Sequence, residues 1–368
     1  MNKPYTFLEI DLGAIRANVL EIQKRIYPRV MAVVKSNAYG HGAVEVVKAL
    51  NDLVVGFMVD NVSEALEIKE VAQKPILVML AASEADIKIL AQNDIAFVLF
   101  DFYQLLYIKQ VSQKLGQKVK VHLKIDTGMN RLGFKQNDWP KSKSELKNYA
   151  SFLEIVGVFS HFSDANNQEF SKQQQKIMAE ALDYFGLQNC LSHFSASLAS
   201  LNFSNSNCGA LRPGALVYGY SANNKATWLK PTLSLKTKIV QLKWVKPGEA
   251  VGYELFFKPK QKTLIGIMPI GYKDNFSRRF SFVKTKVIIN GKLYPVVGRV
   301  CMRFSFIDVT PLADKITVGQ EVVLLGRENK VKIDAYDWAE KLGTSFYEVL
   351  ATFPRDLPRV YKPSRITE

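Results

Sequence analysis

Lys35 closes a run of apolar residues, Val30-Met31-Ala32-Val33-Val34, and is followed by the small and turn-forming stretch Ser36-Asn37-Ala38-Tyr39-Gly40-His41-Gly42. A short, continuous apolar run reads as a buried strand, so the ammonium should sit where the strand leaves the core. Desolvation at that point disfavours the charged form and frees the amine as a nucleophile, which is what imine formation with an aldehyde cofactor requires. Gly40 and Gly42 would let backbone N–H groups approach an anion, and the periodic residues Ala43, Val46, Val47, Ala49 and Leu50 would set a helix N-terminus toward a phosphate. Solvated lysines at strand ends are commoner than nucleophilic ones, and the residue types alone leave both readings open.

Further titratable groups follow apolar runs in the same way. Lys124 and Asp126 lie inside His122-Leu123-Lys124-Ile125-Asp126-Thr127-Gly128-Met129-Asn130-Arg131, where a buried ammonium would need a partner. His161 follows Val156-Gly157-Val158-Phe159-Ser160, and a lone histidine is more often a satisfied core or surface residue than a functional one. His193-Phe194-Ser195-Ala196-Ser197 and Leu211-Arg212-Pro213-Gly214-Ala215 come next; beside proline and glycine, Arg212 by itself is a solvated turn residue. Tyr253 and Tyr272 each adjoin a glycine, and a tyrosine in a strand is ordinarily structural.

The elements that must position these groups alternate. Strand candidates at Val30–Val34, Val54–Val59, Ile76–Leu80, Ile95–Phe100, Val119–Ile125, Leu153–Phe159 and Leu191–Ser195, with Ala215–Tyr218 as one more, are separated by helical stretches such as Ser63–Val71, Ser83–Asn93 and Gln168–Phe185. Continuously apolar strands are those of a parallel sheet covered on both faces, and this repeat predicts an N-terminal TIM-like (β/α)8 barrel whose functional groups gather at the C-terminal strand ends. Beyond about residue 225 the texture changes to alternating strands, Leu233–Trp244, Thr263–Pro269, Val283–Ile289, Pro295–Met302 and Glu321–Leu325, with one late helix, Ile333–Leu342. The expected division is therefore a barrel over residues 10–225 and a mainly β C-terminal domain over 226–368.

Composition narrows the class. A chain of 368 residues, 48% hydrophobic, can bury more than one core. The net charge of +15 is spread through amphipathic segments and not gathered into a basic block, which argues against nucleic acid and leaves a field that would concentrate an anionic cofactor. The longest purely apolar run, Ile76–Ala82, is too short for a membrane span, and Glu9 and Asp11 stand where a signal peptide needs an apolar core, so a cytoplasmic protein is expected. Cys190, Cys208 and Cys301 are odd in number and widely spaced, a pattern of reduced thiols, with no metal site indicated.

The run Ala32-Val33-Val34-Lys35-Ser36-Asn37-Ala38-Tyr39-Gly40-His41-Gly42 is similar to the cofactor-lysine motif of alanine racemases, which bind pyridoxal 5′-phosphate (PLP), and further matches follow in order along nearly the whole chain. The resemblance implies that Lys35 carries the cofactor and that Tyr39 contributes to its site. It implies that Arg131 bonds the phenolic oxygen of PLP and helps hold the substrate, that Lys124 is a candidate for carbamylation, and that His161 bonds the catalytic tyrosine. Ser197, Gly214 and Ala215 fall to the phosphate and Arg212 to the pyridine nitrogen. In the β domain, joined by residues 1–9, Tyr253 becomes the second catalytic base, Tyr272 and Met302 substrate-site residues, and Arg355 a cofactor-site residue where the family often has tyrosine. Asn166, Ala196 and Arg303 depart from the family pattern, the last by reversing the charge of an aspartate. The activity so implied is interconversion of L- and D-alanine by two bases on opposite faces, supplying D-alanine for peptidoglycan. A homodimer is implied as well, with Tyr253 contributed by the partner. A broad-specificity racemase or another barrel-type PLP enzyme is the alternative.

Overall fold

The computed structural model describes residues 4–203, 208–223 and 225–363; residues 204–207 and 224 of the expected barrel, and 1–3 and 364–368 of the expected β domain, lie outside the described residues. Contacts divide the chain into two compact units, one of Ala14–Ala38 and Ala43–Lys230, the other of Met1–Gly13, Tyr39–Gly42 and Pro231–Glu368.

Strands are numbered along the chain, β1 being Phe7–Asp11 in the second unit. The first unit holds β2 (Met31–Val33), β3 (Gly56–Val59), β4 (Ile76–Val78), β5 (Ala96–Leu99), β6 (Val119–Lys124), β7 (Leu153–Phe159) and β8 (Leu191–His193), paired in that order and all parallel. β2 to β5 are buried at every residue, which is why they read as unbroken apolar runs. Helices between them begin on side-chain caps where the sequence supplies them: Asn61 accepts from Glu64 N, Ser83 from Asp86 N, and Asn167 from Phe170 N.

Residues 210–213 close the ring. Met31 N donates to Leu211 O at 2.8 Å and Leu211 N to Arg29 O at 2.9 Å on one side, while Ala210 N donates to Ser192 O at 3.1 Å and Arg212 N to Ser195 O at 2.9 Å on the other. The eighth stave is therefore not Ala215–Tyr218. That run forms a buried turn, with Tyr218 Oη donating to Val33 O at 2.9 Å, and it is apolar because it is enclosed rather than because it is extended.

Inside the barrel, His122 of β6 and His193 of β8 share a hydrogen bond, Nδ1 to Nε2 at 2.7 Å, and His193 stacks on Phe159 of β7 with ring centroids 4.8 Å apart. Gly157 pairs with His122 across β6 and β7, and an added Cβ there would collide with the His122 ring.

The second unit is built on one mixed sheet, with the helices Ala335–Leu342 and Phe346–Ala351. It contains β1, β9 (Leu233–Lys238), β10 (Gln241–Val245), β11 (Thr263–Met268), β12 (Lys286–Ile289), β13 (Lys292–Val297), β14 (Ser305–Asp308), β15 (Glu321–Glu328), β16 (Val331–Ile333) and β17 (Arg359–Lys362), in the order β10-β11-β14-β13-β12-β15-β9-β1-β17 with β16 on β15. β1 runs antiparallel to β9 and parallel to β17. The segment expected as one strand, Leu233–Trp244, is two: at Ile239 and Val240 the backbone changes partner, Ile239 N donating to Gln320 O and Val240 N to Ile267 O.

Replacing Gly157 by alanine should overpack the histidine pair and destabilise the protein by roughly 1–3 kcal/mol, read as a lowered urea midpoint at unchanged slope. The same pair makes stability pH-dependent. Burial first, and Arg212 second, hold His122 down to about 3, and burial, His122, Arg212 and Lys124 hold His193 well below the usual imidazole range. The unfolded chain takes up protons on these rings below about pH 6.5 while the folded one does not, so their contribution is intact above that pH and is lost as pH falls toward 3. Each ring adds up to about 1.4 kcal/mol per pH unit to that slope. Urea midpoints measured from pH 7.5 to 4.5 should fall accordingly, and His122→Gln should flatten the fall by about one proton; a flat wild-type profile would contradict the neutral pair.

Candidate active site

Lys35 lies two residues beyond the end of β2, and the chain then turns through one left-handed helical turn, with φ of 52°, 54°, 54° and 52° at Ser36, Asn37, Ala38 and Tyr39. Such backbone is costly for residues that carry a Cβ and persists only where its surroundings over-determine it. Buried Glu64, in the first turn of the helix Val62–Lys69, does much of this: Oε1 accepts from Ser36 N at 2.7 Å and Oε2 from Asp60 N at 3.0 Å, tying the ends of β2 and β3 together. Ala38 N donates to Val34 O at 2.8 Å, and Ala43 N to Asn37 Oδ1 at 2.8 Å.

One expectation for this stretch is corrected and two are narrowed. Lys35 is not desolvated: its side chain keeps 30% of its exposure and Nζ lies 3.3 and 3.5 Å from the carboxylate oxygens of Asp60, because the strand ends before the lysine and the ammonium extends past it. Gly40 and Gly42 are accounted for by close packing: a Cβ on Gly40 would strike Leu350 O, and one on Gly42 the Tyr361 hydroxyl. The helix Ala43–Leu50 has its first N–H taken by Asn37 Oδ1, so that group is not free for an anion.

The desolvated lysine is Lys124. It is 6% exposed with Nζ 4.4 Å from the Phe159 ring centroid, and burial first, then Arg212 and Arg131, push it well below the usual lysine range against the pull of Asp126. Among the described residues no carboxylate lies within ion-pair distance of it; Asp126 Oδ1 accepts from the backbone of Gly128 and Asn130 at 3.0 and 3.1 Å. The partner expected for a buried Lys124 is thus not an acid, and burial resolves the charge by favouring the neutral amine.

Arg212, on the eighth stave, is 4% exposed. Its Nη2 donates to Ser160 O at 2.6 Å, to Phe194 O at 2.9 Å and to His161 Nδ1 at 3.4 Å, while its Nε is buried without a hydrogen-bond partner. Burial lowers Arg212 to about 10, which leaves it charged at neutral pH. His161 is held well below the usual histidine range by burial and by Arg212, Lys124, Arg131 and Lys35, so its ring is neutral and, accepting at Nδ1, carries its proton on Nε2. Ser197 begins the helix Ser197–Asn202, and its Oγ accepts from Gly214 N at 3.0 Å; Ala215 is fully buried beside it in sequence. Arg131 is exposed in the loop after β6. The structure thus gathers Lys35, Lys124, Arg131, His161, Ser197, Arg212, Gly214 and Ala215 on one barrel. An amine, a cationic wall and an unpartnered guanidinium N–H suit an anionic aldehyde whose ring nitrogen can accept a hydrogen bond.

The remaining predicted residues belong to the second unit. Tyr253 is 67% exposed and lines a cavity of about 450 Å³ with Gly252, Cys301, Phe304 and Phe306. Glu254 and Leu255, both left-handed with φ of 61° and 51°, follow it; Glu254 pairs with Arg278 and Arg299 at 2.6 Å each. Arg299 lies between the rings of Phe256 and Phe282, 3.9 and 4.1 Å from their centroids. Tyr272 N donates to Cys301 O and Lys273 N to Met302 O, each at 3.1 Å, which sets Tyr272 and Met302 side by side; both side chains are exposed. Arg303 is exposed and reaches Asp274 at 3.9 Å, and the Arg355 carbonyl accepts from Arg359 at 3.0 Å. The ring of Tyr39 is 6.5 Å from that of Tyr347. Among the described residues no group of three or more histidine, cysteine or acidic side chains is placed to hold a metal ion.

Asp60 and Glu64 were not singled out by the sequence reading. The signal for Asp60 was present, since it ends the apolar strand Gly56-Phe57-Met58-Val59 just as Lys35 ends its own. Glu64 looks like any acidic residue in a first helical turn, and its bond to the Lys35 turn is a tertiary contact that no local pattern reveals.

Residues 10–222 match the family described as alanine racemase, N-terminal domain, and residues 232–361 its C-terminal domain. An alanine racemase from Clostridium novyi (strain NT) is 35% identical over 365 residues, 96% of this chain and 94% of that protein. The solved alanine racemase of Clostridium difficile 630 superposes with a TM-score of 0.89 at 32% identity, covering 98% of this chain and 97% of that one. That of Bacillus anthracis, solved with bound L-Ala-P, gives a TM-score of 0.87 at 31% identity and covers 100% and 98% of the two chains. Matched from end to end in both sequence and fold, the chain belongs to the alanine racemase family.

Proposed function

We propose that the protein is a PLP-dependent alanine racemase that interconverts L- and D-alanine through two bases and so supplies D-alanine for peptidoglycan. The observation that carries this reading is the pairing, on one barrel, of a strand-end amine with a buried Arg212 whose Nε has no partner. PLP, when bound, supplies an electron sink that stabilises negative charge at the substrate Cα.

Each residue then has a definite task. Lys35 would hold the cofactor covalently and, when free of it, would take or return the Cα proton at Nζ; Tyr253 would do the same with its hydroxyl on the opposite face. Arg212 offers the ring nitrogen a hydrogen bond and not a proton, since a guanidinium gives its proton up only at high pH, and this limits how far charge spreads into the ring. Ser197, Gly214 and Ala215 hold the phosphate through a hydroxyl and backbone N–H groups, with Tyr39 and Arg355 as further cofactor contacts. Arg131 bonds the phenolic oxygen and the substrate, with Met302 and Tyr272 on the substrate side, and His161 orients Tyr253. Lys124, kept neutral by burial, adds CO2 through its nitrogen and loses a proton to become an anionic carbamate among the surrounding cations.

We assign residues 10–225 to the cofactor domain and 226–368, with 1–9, to the β domain. A homodimer that shares its active sites is supported by the exposure of Tyr253, Leu255 and Phe282, at 67%, 63% and 63%, with Phe282 brought against Phe256 of the same turn. A cytoplasmic location accords with the finding that no helix among the described residues is long and apolar enough to cross a membrane. Asn166, Ala196 and Arg303 favour, as a second reading, a racemase of broader specificity.

The purified protein should show a visible absorbance band from bound PLP, and a D/L assay across alanine, serine, lysine and glutamate separates the two readings by whether alanine alone turns over. Lys35→Ala should abolish both racemisation and the borohydride-trapped peptide adduct; an adduct trapped on a different lysine would overturn the assignment. For Tyr253→Phe the equal free energy of the enantiomers forces kcat/KM to fall by one factor in both directions, about a hundredfold or more for a missing general base. The asymmetry should emerge in solvent deuterium uptake at Cα, which persists for one enantiomer and is lost for the other. Undiminished uptake into both would remove Tyr253 from the mechanism.

A further inference from the structure

The register of the barrel sets a carboxylate level with Lys35. β2 and β3 pair Val33 with Met58, and continuing two residues along each strand brings Lys35 beside Asp60. Both Asp60 oxygens lie within 3.5 Å of Lys35 Nζ. The placement is built into the backbone, because Glu64 bonds the N–H of Ser36 with one oxygen and that of Asp60 with the other. Among the described residues Asp60 is the one carboxylate within ion-pair distance of Lys35. The other groups turned toward this end of the barrel are Lys124 from β6, Arg131 from the loop after it, neutral His161 after β7 and Arg212 on the eighth stave, while Asp126 is engaged with backbone N–H groups.

We propose that Asp60 is a positioning residue for Lys35: its carboxylate holds Nζ as an ammonium, in place beside the substrate, whenever Lys35 carries the proton taken from Cα. This rests on the reading of Lys35 as the cofactor lysine and one of the two bases. In the step concerned the Cα–H bond breaks, the proton passes to the lone pair of the released Lys35 amine, and the electron pair stays on the substrate carbon, to be delocalised toward the cofactor. Lys35 thereby gains a positive charge in a site already lined by Arg131 and Arg212. An anion in contact with Nζ offsets the repulsion, and without one the ammonium would be driven away from the carbon it must serve. Because the reverse step returns the same proton, Asp60 supports both directions equally.

The test is Asp60→Asn, which removes the charge and keeps the shape at a position that is 44% exposed and whose N–H is held independently by Glu64. Two readouts are taken on the holoenzyme. One is kcat/KM for L- and D-alanine. The other is the pH midpoint at which the visible band of the Lys35-bound cofactor changes, which a merely structural role would leave in place. Loss of the anion should lower kcat/KM roughly tenfold in both directions and move the midpoint down by about one unit, the same free energy read twice. Asp60→Glu, which restores the charge on a longer arm, should recover part of both. Borohydride trapping and peptide mapping of the same variants keep the two claims apart. With the adduct on Lys35, an unmoved midpoint or a Glu variant no better than Asn overturns the role of Asp60 and leaves Lys35 standing; an adduct on another lysine overturns the Lys35 reading and the Asp60 proposal together.

Discussion

A buried, charged guanidinium is the constraint around which the barrel is arranged. Arg212 gives its backbone N–H to Ser195 to help close the ring, and its side chain spans Ser160 O and Phe194 O, just past the ends of β7 and β8, with the Phe159 ring 5.1 Å away. Burying such a charge without an acid is expensive unless carbonyl dipoles replace water around it. That arrangement has consequences for every titratable group nearby. Burial first, and this charge after it, depress His122, His161, His193 and Lys124, so the histidines remain neutral hydrogen-bonding groups and Lys124 tends to the free amine. This cation thus adds to burial in keeping its neighbours neutral. An anionic cofactor and an amino acid carboxylate are the partners such a site can accept without further acids of its own.

What the sequence revealed follows from which interactions are local. The barrel was legible because parallel strands covered on both faces are apolar end to end, and each of the informative ones stops at a titratable residue. Its last stave was not, since Ala210-Leu211-Arg212-Pro213 is short, charged and interrupted by proline, while the apolar Ala215–Tyr218 is a turn sealed inside the protein. The split of Leu233–Trp244 escaped notice for a related reason: no glycine, proline or asparagine marks Ile239-Val240, and the break is made by a change of hydrogen-bond partner. Strand β14 was missed because Ser305-Phe306-Ile307-Asp308 offers only two apolar residues to recognise.

The environments of the two lysines were harder to read than their positions. Both lie at C-terminal strand ends, which pattern shows, but pattern says nothing of how far a side chain extends or what stands beside it. Lys124 is the last residue of its strand, within the enclosed barrel, and is desolvated; Lys35 is two residues beyond the end of β2, meets Asp60 and stays partly in water. The difference of one or two residues in where a strand stops decides which lysine is neutral.

The two residues proposed as bases, Lys35 and Tyr253, share a backbone device. Each adjoins non-glycine residues with left-handed φ, Ser36 to Tyr39 in one case and Glu254 and Leu255 in the other. Strain of this kind costs on the order of 1–3 kcal/mol per residue and survives only when neighbouring contacts fix it. In both cases a glutamate supplies them. Glu64 bonds two backbone N–H groups at strand ends, and Glu254 pairs with two arginines, one of them stacked between aromatic rings. The two devices differ in what they would withstand. Glu64 is buried and its bonds are short and little screened, whereas Glu254 and Arg278 are about half exposed, so that pair weakens as salt rises. The turn after Lys35 is therefore fixed by the barrel itself, while the turn carrying Tyr253 depends on a surface network and on whatever further covers its exposed apolar neighbours.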